Sequence, residues 1–146
     1  MQVEIKIDDS CKETSVVIIT PSMTEEISAI VKMLSDHTPK IITGYKDEKL
    51  EILESGNIIR LYASSGKVFA VTPKGEYTLR LRLYELEERL DPNQFVRISN
   101  SEIINLKKVK HFDLNFTGTI CARLSDGTAS YVSRRYVPKI KQILMR

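Results

Sequence analysis

Cysteine and histidine are scarce in this 146-residue chain, and their scarcity removes whole classes of chemistry. The two cysteines, Cys11 and Cys121, have no C-x-x-C spacing and read as reduced thiols, one near a turn and one in a strand. His37 and His111 stand apart from each other and from both cysteines, so no metal site is expected. Long apolar runs are also missing. The longest, residues 16–19, is far too short to cross a bilayer, and the first ten residues carry acids early without a signal-peptide core. A cytoplasmic location is the expectation. Catalytic motifs are lacking as well: there is no G-x-S-x-G, no Walker loop and no H-E-x-x-H. Glu85, Glu87 and Glu88 fall on the outer face of a short helix, where they serve solubility. The chain is therefore not expected to be an enzyme, and neither a cofactor nor a small-molecule substrate is expected.

What is present suits one soluble domain with an extension: 42% hydrophobic residues to fill a core and 28% charged residues to coat it,. The net charge of +3 conceals a gradient. Residues 1–56 hold six Lys/Arg against eleven Asp/Glu, whereas residues 57–146 hold sixteen against eight. Residues 97–146 contain ten basic side chains and three acidic ones, Glu102, Asp113 and Asp126. Such a gradient points to a polyanion, nucleic acid first of all. Ordinary decoration of a solvated face is the plain alternative.

Period-two alternation predicts strands at residues 3–7 and 15–20, joined by a polar turn. A helical stripe of Ile27, Ile30, Val31 and Leu34 follows, with Ser22 and Glu25 as a capping box or Thr24 as the cap, and a stop across residues 36–39. From residue 40 onward the pattern becomes predominantly β. Turns are expected at 55–57, 64–66, 73–75, 117–118 and 126–127. A short helix over residues 84–90 and a closing helix within residues 133–146 interrupt the strands. The fold class is mainly β with short helices (α+β). Residues 1–40 form a small β-β-α N-terminal extension, and residues 41–146 form the main domain.

Three polar clusters sit at predicted turns: Ser99-Asn100-Ser101, Ser64-Ser65-Gly66-Lys67 and Ser133-Arg134-Arg135. Asparagine can hold adenine and arginine can hold guanine through paired hydrogen bonds to the base edge. Short hydroxyls and lysines suit phosphate oxygens. Each cluster alone would be a solvated turn; together with the basic second half they favour DNA.

Residues 83–109 carry a resemblance to the LytTR DNA-binding domain family. A leucine helix with Leu86 and Leu90 leads into Phe95-x-Arg97, then Ser101, Ile103, Ile104 and Asn105. Residues 133–144 are similar to the family's closing Ser-Arg segment, and residues 58–79 fit its opening strands. The family often has a histidine before the polar pair, where this chain has Ser99. The resemblance spans about residues 41–146. It implies an elongated β fold whose loops enter successive major grooves of promoter DNA, with Asn100 and Arg135 touching bases. Ser99, Ser101, Arg134 and Lys139 would meet phosphates, and the turn from Ser64 and Ser65 to Lys67 would approach a neighbouring groove. Arg97 and Asn105 read instead as hydrogen-bonding residues that fix the fold, and Tyr131 and Tyr136 as packing residues. Residues 1–40 are too few for a receiver domain, so the resemblance is to stand-alone regulators, with a membrane-protein inhibitor as a possible partner. The acidic extension is a candidate homodimer surface. The alternative is a protein-interaction or anti-regulator module with an incidental basic tail.

Overall fold

Paired isoleucines at 58–59 and 103–104, and the Phe95–Val96 step, break the alternation that a sheet with one wet face would show. The computed structural model, which describes residues 1–35, 41–115 and 117–145, supplies the reason: part of its sheet is covered on both sides. The helix stop expected across residues 36–39, with His37, lies outside the described residues, as do Lys40, Phe116 and Arg146. The chain divides into two compact units, Met1–Thr38 and Pro39–Arg146.

In the first unit the expected helix is present as α1 (Glu25–Ser35). Its cap is Thr24 rather than Ser22: the Thr24 hydroxyl accepts from the Ile27 amide at 3.3 Å, satisfying one of the orphan donors of the first turn. The two strands expected at residues 3–7 and 15–20 are not formed, and residues 1–24 contain no strand. The alternating Val3, Ile5 and Ile7 are exposed, as are Val16, Val17 and Ile19. Alternation records fitness for a sheet, not the presence of a partner, and an isolated two-stranded hairpin is marginal in water.

The second unit begins with a hairpin, β1 (Ile42–Lys46) and β2 (Lys49–Leu53), turned by Asp47 and Glu48, both at positive φ. A meander follows: β3 (Arg60–Ser64), β4 (Lys67–Thr72) and β5 (Gly75–Leu79). Helix α2 (Leu83–Arg89) is closed at its start by the Glu85 carboxylate, which accepts from the Arg82 amide at 3.1 Å,. Then come β6 (Phe95–Ser99), β7 (Glu102–Asn105), β8 (Val109–Leu114), β9 (Ile120–Leu124), β10 (Ala129–Val132) and α3 (Val137–Leu144). The strands make two antiparallel sheets, one in the order β2-β1-β5-β4-β3-β7-β6 and one in the order β10-β9-β8.

Two apolar clusters use opposite faces of the larger sheet at its β3-β7-β6 end. One gathers Leu61, Ile103 and Phe95 with Leu83, Leu86 and Leu90 from around α2. The other gathers Ile59, Val96, Ile98 and Ile104 with Ile120, Ala122, Leu124 and Val132 of the smaller sheet and Ile140 of α3. Each doublet thus sends one side chain into each core. Asn105, fully buried, belongs to this interior: its Nδ2 donates to the Ile58 carbonyl at 2.7 Å, and its Oδ1 accepts from the Lys107 amide at 3.0 Å. That is the structural role the sequence suggests. No helix among the described residues is long and apolar enough to cross a membrane.

Candidate nucleic-acid interface

The Ser99-Asn100-Ser101 triplet is the turn between β6 and β7, and its shape is set by short-range bonds. The Ser99 hydroxyl accepts from the Ser101 amide at 3.2 Å and lies 3.3 Å from the Ser101 hydroxyl. Arg97 braces the same turn from below. Its Nε donates to the Ser99 carbonyl at 2.8 Å and its Nη2 to the Asn100 carbonyl at 2.6 Å, while Nη1 pairs with Glu87 of α2. A planar guanidinium can hold two carbonyls and a carboxylate at once because its donors radiate in a fixed fork.

Two further bonds bring the other polar clusters to this end of the sheet. The Ser101 carbonyl accepts from the Ala63 amide at 2.8 Å, one residue before the β3–β4 turn. That turn is built on Ser65 and Gly66, with φ of 52° and 76°, the paired positive φ of a tight two-residue hairpin. Ser64 and Lys67 close it as facing residues. On the other side, the Ser133 amide donates to the Ile98 carbonyl at 2.8 Å, so the segment after β10 leaves beside the triplet. The Tyr136 hydroxyl then donates to Asn100 Oδ1 at 3.3 Å. This leaves the amide its second lone pair and both N–H donors. The Arg135 guanidinium lies 5.9 Å from the Tyr136 ring centroid, within cation–π range.

Of the residues expected to meet DNA, Ser64, Ser65, Lys67, Asn100, Ser101, Arg134 and Arg135 are therefore gathered at one end of the unit, all exposed. Ser99 is there too, half-buried, with its hydroxyl engaged in the turn. Lys139 is exposed on the first turn of α3 and lines a cavity of about 340 Å³ beside β6, with Glu87, Arg97 and Gln142. Lys107 and Lys108 follow the opposite end of β7 from the triplet. Among the described residues no cluster of His, Cys, Asp and Glu could hold a metal.

Tyr136 is more than the packing residue that sequence suggests: besides flanking the second core it orients Asn100. No local pattern signals this, because the pair is 36 residues apart. Glu102, just past the triplet, was also silent in the sequence. It accepts from the Ser130 hydroxyl of β10 and lies 3.6 Å from Arg60, tying the two sheets together behind the turn. On the smaller sheet, Asp113 accepts from Arg123 at 2.9 Å and faces His111 at 3.2 Å. The hydrogen bond from Arg123 holds the Asp113 carboxyl below its usual range.

Comparison with known proteins gives this arrangement a family. A sequence profile of the LytTr DNA-binding domain matches residues 48–145. The solved LytTr DNA-binding domain of a Bacillus cereus protein superposes with a TM-score of 0.68 at 20% identity, over 71% of this chain and 95% of its own, a likeness of fold. Proteins from Staphylococcus aureus strains NCTC 8325 and COL, both described as uncharacterized HTH-type transcriptional regulators, are 33% identical over 148 residues, covering 99% of this chain and 98% of theirs. Among the described residues of the second unit no two helices are consecutive; α2 and α3 are separated by five strands. The chain belongs to the LytTR family of DNA-binding domains.

Proposed function

We propose that this protein is a transcriptional regulator that reads promoter DNA in a sequence-specific way, through the turns of its β scaffold. The observation that carries this is the convergence of three polar clusters, from three distant parts of the chain, on one end of the second unit. Asn100 and Arg135 are the base-reading residues: exposed planar groups, each next to Tyr136, of the two types that match adenine and guanine edges. Ser64, Ser65, Lys67, Ser101, Arg134 and Lys139 are the phosphate contacts, with Ser99 joining them from within the turn. The β6–β7 turn and the segment 133–136 enter one major groove, and the β3–β4 turn approaches the next. The setting is the cytoplasm, the acting species is a homodimer joined through residues 1–40, and a membrane protein that sequesters the regulator is the proposed inhibitor. The wide exposure of apolar side chains in residues 1–24 supports the homodimer,.

Selection of bound sequences from a random duplex pool tests the reading. A single enriched motif is expected, with Asn100→Ala and Arg135→Ala losing affinity for that motif and little for scrambled duplex. Failure to shift any duplex at low salt would instead favour a protein-interaction module.

A further inference from the structure

Residues 3–7, Val-Glu-Ile-Lys-Ile, present a chemical pattern that nothing in their own chain uses. Val3, Ile5 and Ile7 are 81%, 82% and 96% exposed, and on an extended chain they share one face while Glu4 and Lys6 share the other. An exposed alternating strand with free N–H and C=O groups is a template for pairing. Resting on the homodimer reading, we infer that this segment pairs antiparallel with the same segment of a second copy, about a two-fold axis through Ile5.

The charges select that register. With the axis at Ile5, Val3 faces Ile7 of the second copy, Ile5 faces its equivalent, and Glu4 faces Lys6 twice over. Moving the axis to Lys6 sets two lysines opposite each other and puts Glu4 against Asp8. Moving it to Glu4 sets two glutamates opposite. Opposite charges across a strand pair stabilise and like charges destabilise, so only the Ile5-centred pairing is free of conflict. A two-fold contact must be self-complementary, and this five-residue segment is.

The second apolar segment explains why one copy is not enough. Residues 15–20 carry no charge and hence no register of their own, and Val17 and Ile19 are exposed. The link between the segments already turns: the Cys11 amide donates to the Asp8 carbonyl at 3.1 Å and the Ser10 amide to the Asp8 carboxylate at 3.0 Å. Residues 3–7 and 15–20 alone offer two strands, short of what an independent sheet needs. Two copies offer four, with residues 3–7 at the centre and residues 15–20 outside. The α1 stripe of Ile27, Ile30 and Leu34 gives each copy an apolar element to lay on that sheet,.

A charge swap on the full-length chain tests the pairing, read as mass by sedimentation equilibrium. Wild type should sediment as two chains. Glu4→Lys or Lys6→Glu alone should raise the dissociation constant about ten-fold or more, because both cross-strand pairs become repulsive. Mixing the two single variants should restore wild-type association, since every facing pair is then opposite in charge. A wild-type monomer at tens of micromolar would overturn the homodimer reading and this pairing with it. A dimer that both single variants leave intact, or a mixture that fails to reassociate, would overturn the pairing and leave a dimer formed elsewhere.

Discussion

Arg97→Met keeps most of the aliphatic stem and removes the guanidinium that braces the β6–β7 turn. Two hydrogen bonds to backbone carbonyls are lost, at 2.8 and 2.6 Å, from a side chain only 15% exposed. Bonds from a charged donor contribute about 1.5–3 kcal/mol each, less where water can replace the donor. The carbonyls of an outward turn can be rehydrated, which brings the pair to roughly 2–4 kcal/mol. The ion pair with Glu87 adds at most about 1 kcal/mol, because the carboxylate is 41% exposed and returns to water,. A domain with ~5–15 kcal/mol of stability remains folded after such a loss. Urea denaturation should therefore show a lower midpoint with an unchanged slope. Specific DNA affinity should fall as well, though Asn100 is untouched, since an unbraced turn must be ordered on binding at ~1–2 kcal/mol per residue. A loss of stability under about 0.5 kcal/mol, the range of an ordinary surface substitution, would refute the claim that the guanidinium holds the turn.

Other outcomes follow from individual contacts. Asn100→Ala and Arg135→Ala should each cost about 1–3 kcal/mol on the selected site and little on random duplex, whereas Lys139→Ala should weaken both and lower the salt slope by about one, as titrations at several salt concentrations would report. Asn105→Leu should destabilise by about 2–4 kcal/mol in denaturant, because the Ile58 carbonyl and the Lys107 amide lose their buried partner,. Glu48→Gly should raise the melting temperature by relieving a positive φ of 64°, a gain of about 1 kcal/mol. Asp113 titrates below its usual value because Arg123 bonds its charged form, so its contribution is present at neutral pH and lost as the pH falls through the lowered value; in Arg123→Gln, carboxyl NMR should show the Asp113 midpoint rising toward the ordinary aspartate range.

The β body of the second unit was legible because its strands carry their own punctuation. Ser65-Gly66 takes the two positive φ values of its turn, and Leu86 and Leu90 mark the helix beneath the sheet. The broken rhythm at residues 103–104 was visible without its cause, which needs a second sheet packed from residues 120–132. The same alternation misled at residues 3–7, where a pattern suited to pairing met no partner. The convergence of Ser64, Asn100 and Arg135 could not be read locally either. It rests on the β3–β7 pairing and on single bonds at Ser133 and Tyr136, each between residues far apart in the chain. Arg97 and Asn105 were readable as fold-fixing residues, because a fork-shaped cation and an amide next to apolar doublets have few other uses inside a core.

The double-sided burial of β6 and β7 also bears on how such proteins diverge. Sliding either strand by one residue would send Phe95 or Val96 into the wrong core,, so the frame behind the turn is closed to variation. Asn100 and Ser101 at its tip, with Arg134 and Arg135 beside them, are exposed and outside both cores, and can change without disturbing the interior. Under the proposed base-reading role, new operator preferences would arise by point substitution at the rim, while descendants inherit an unaltered chassis.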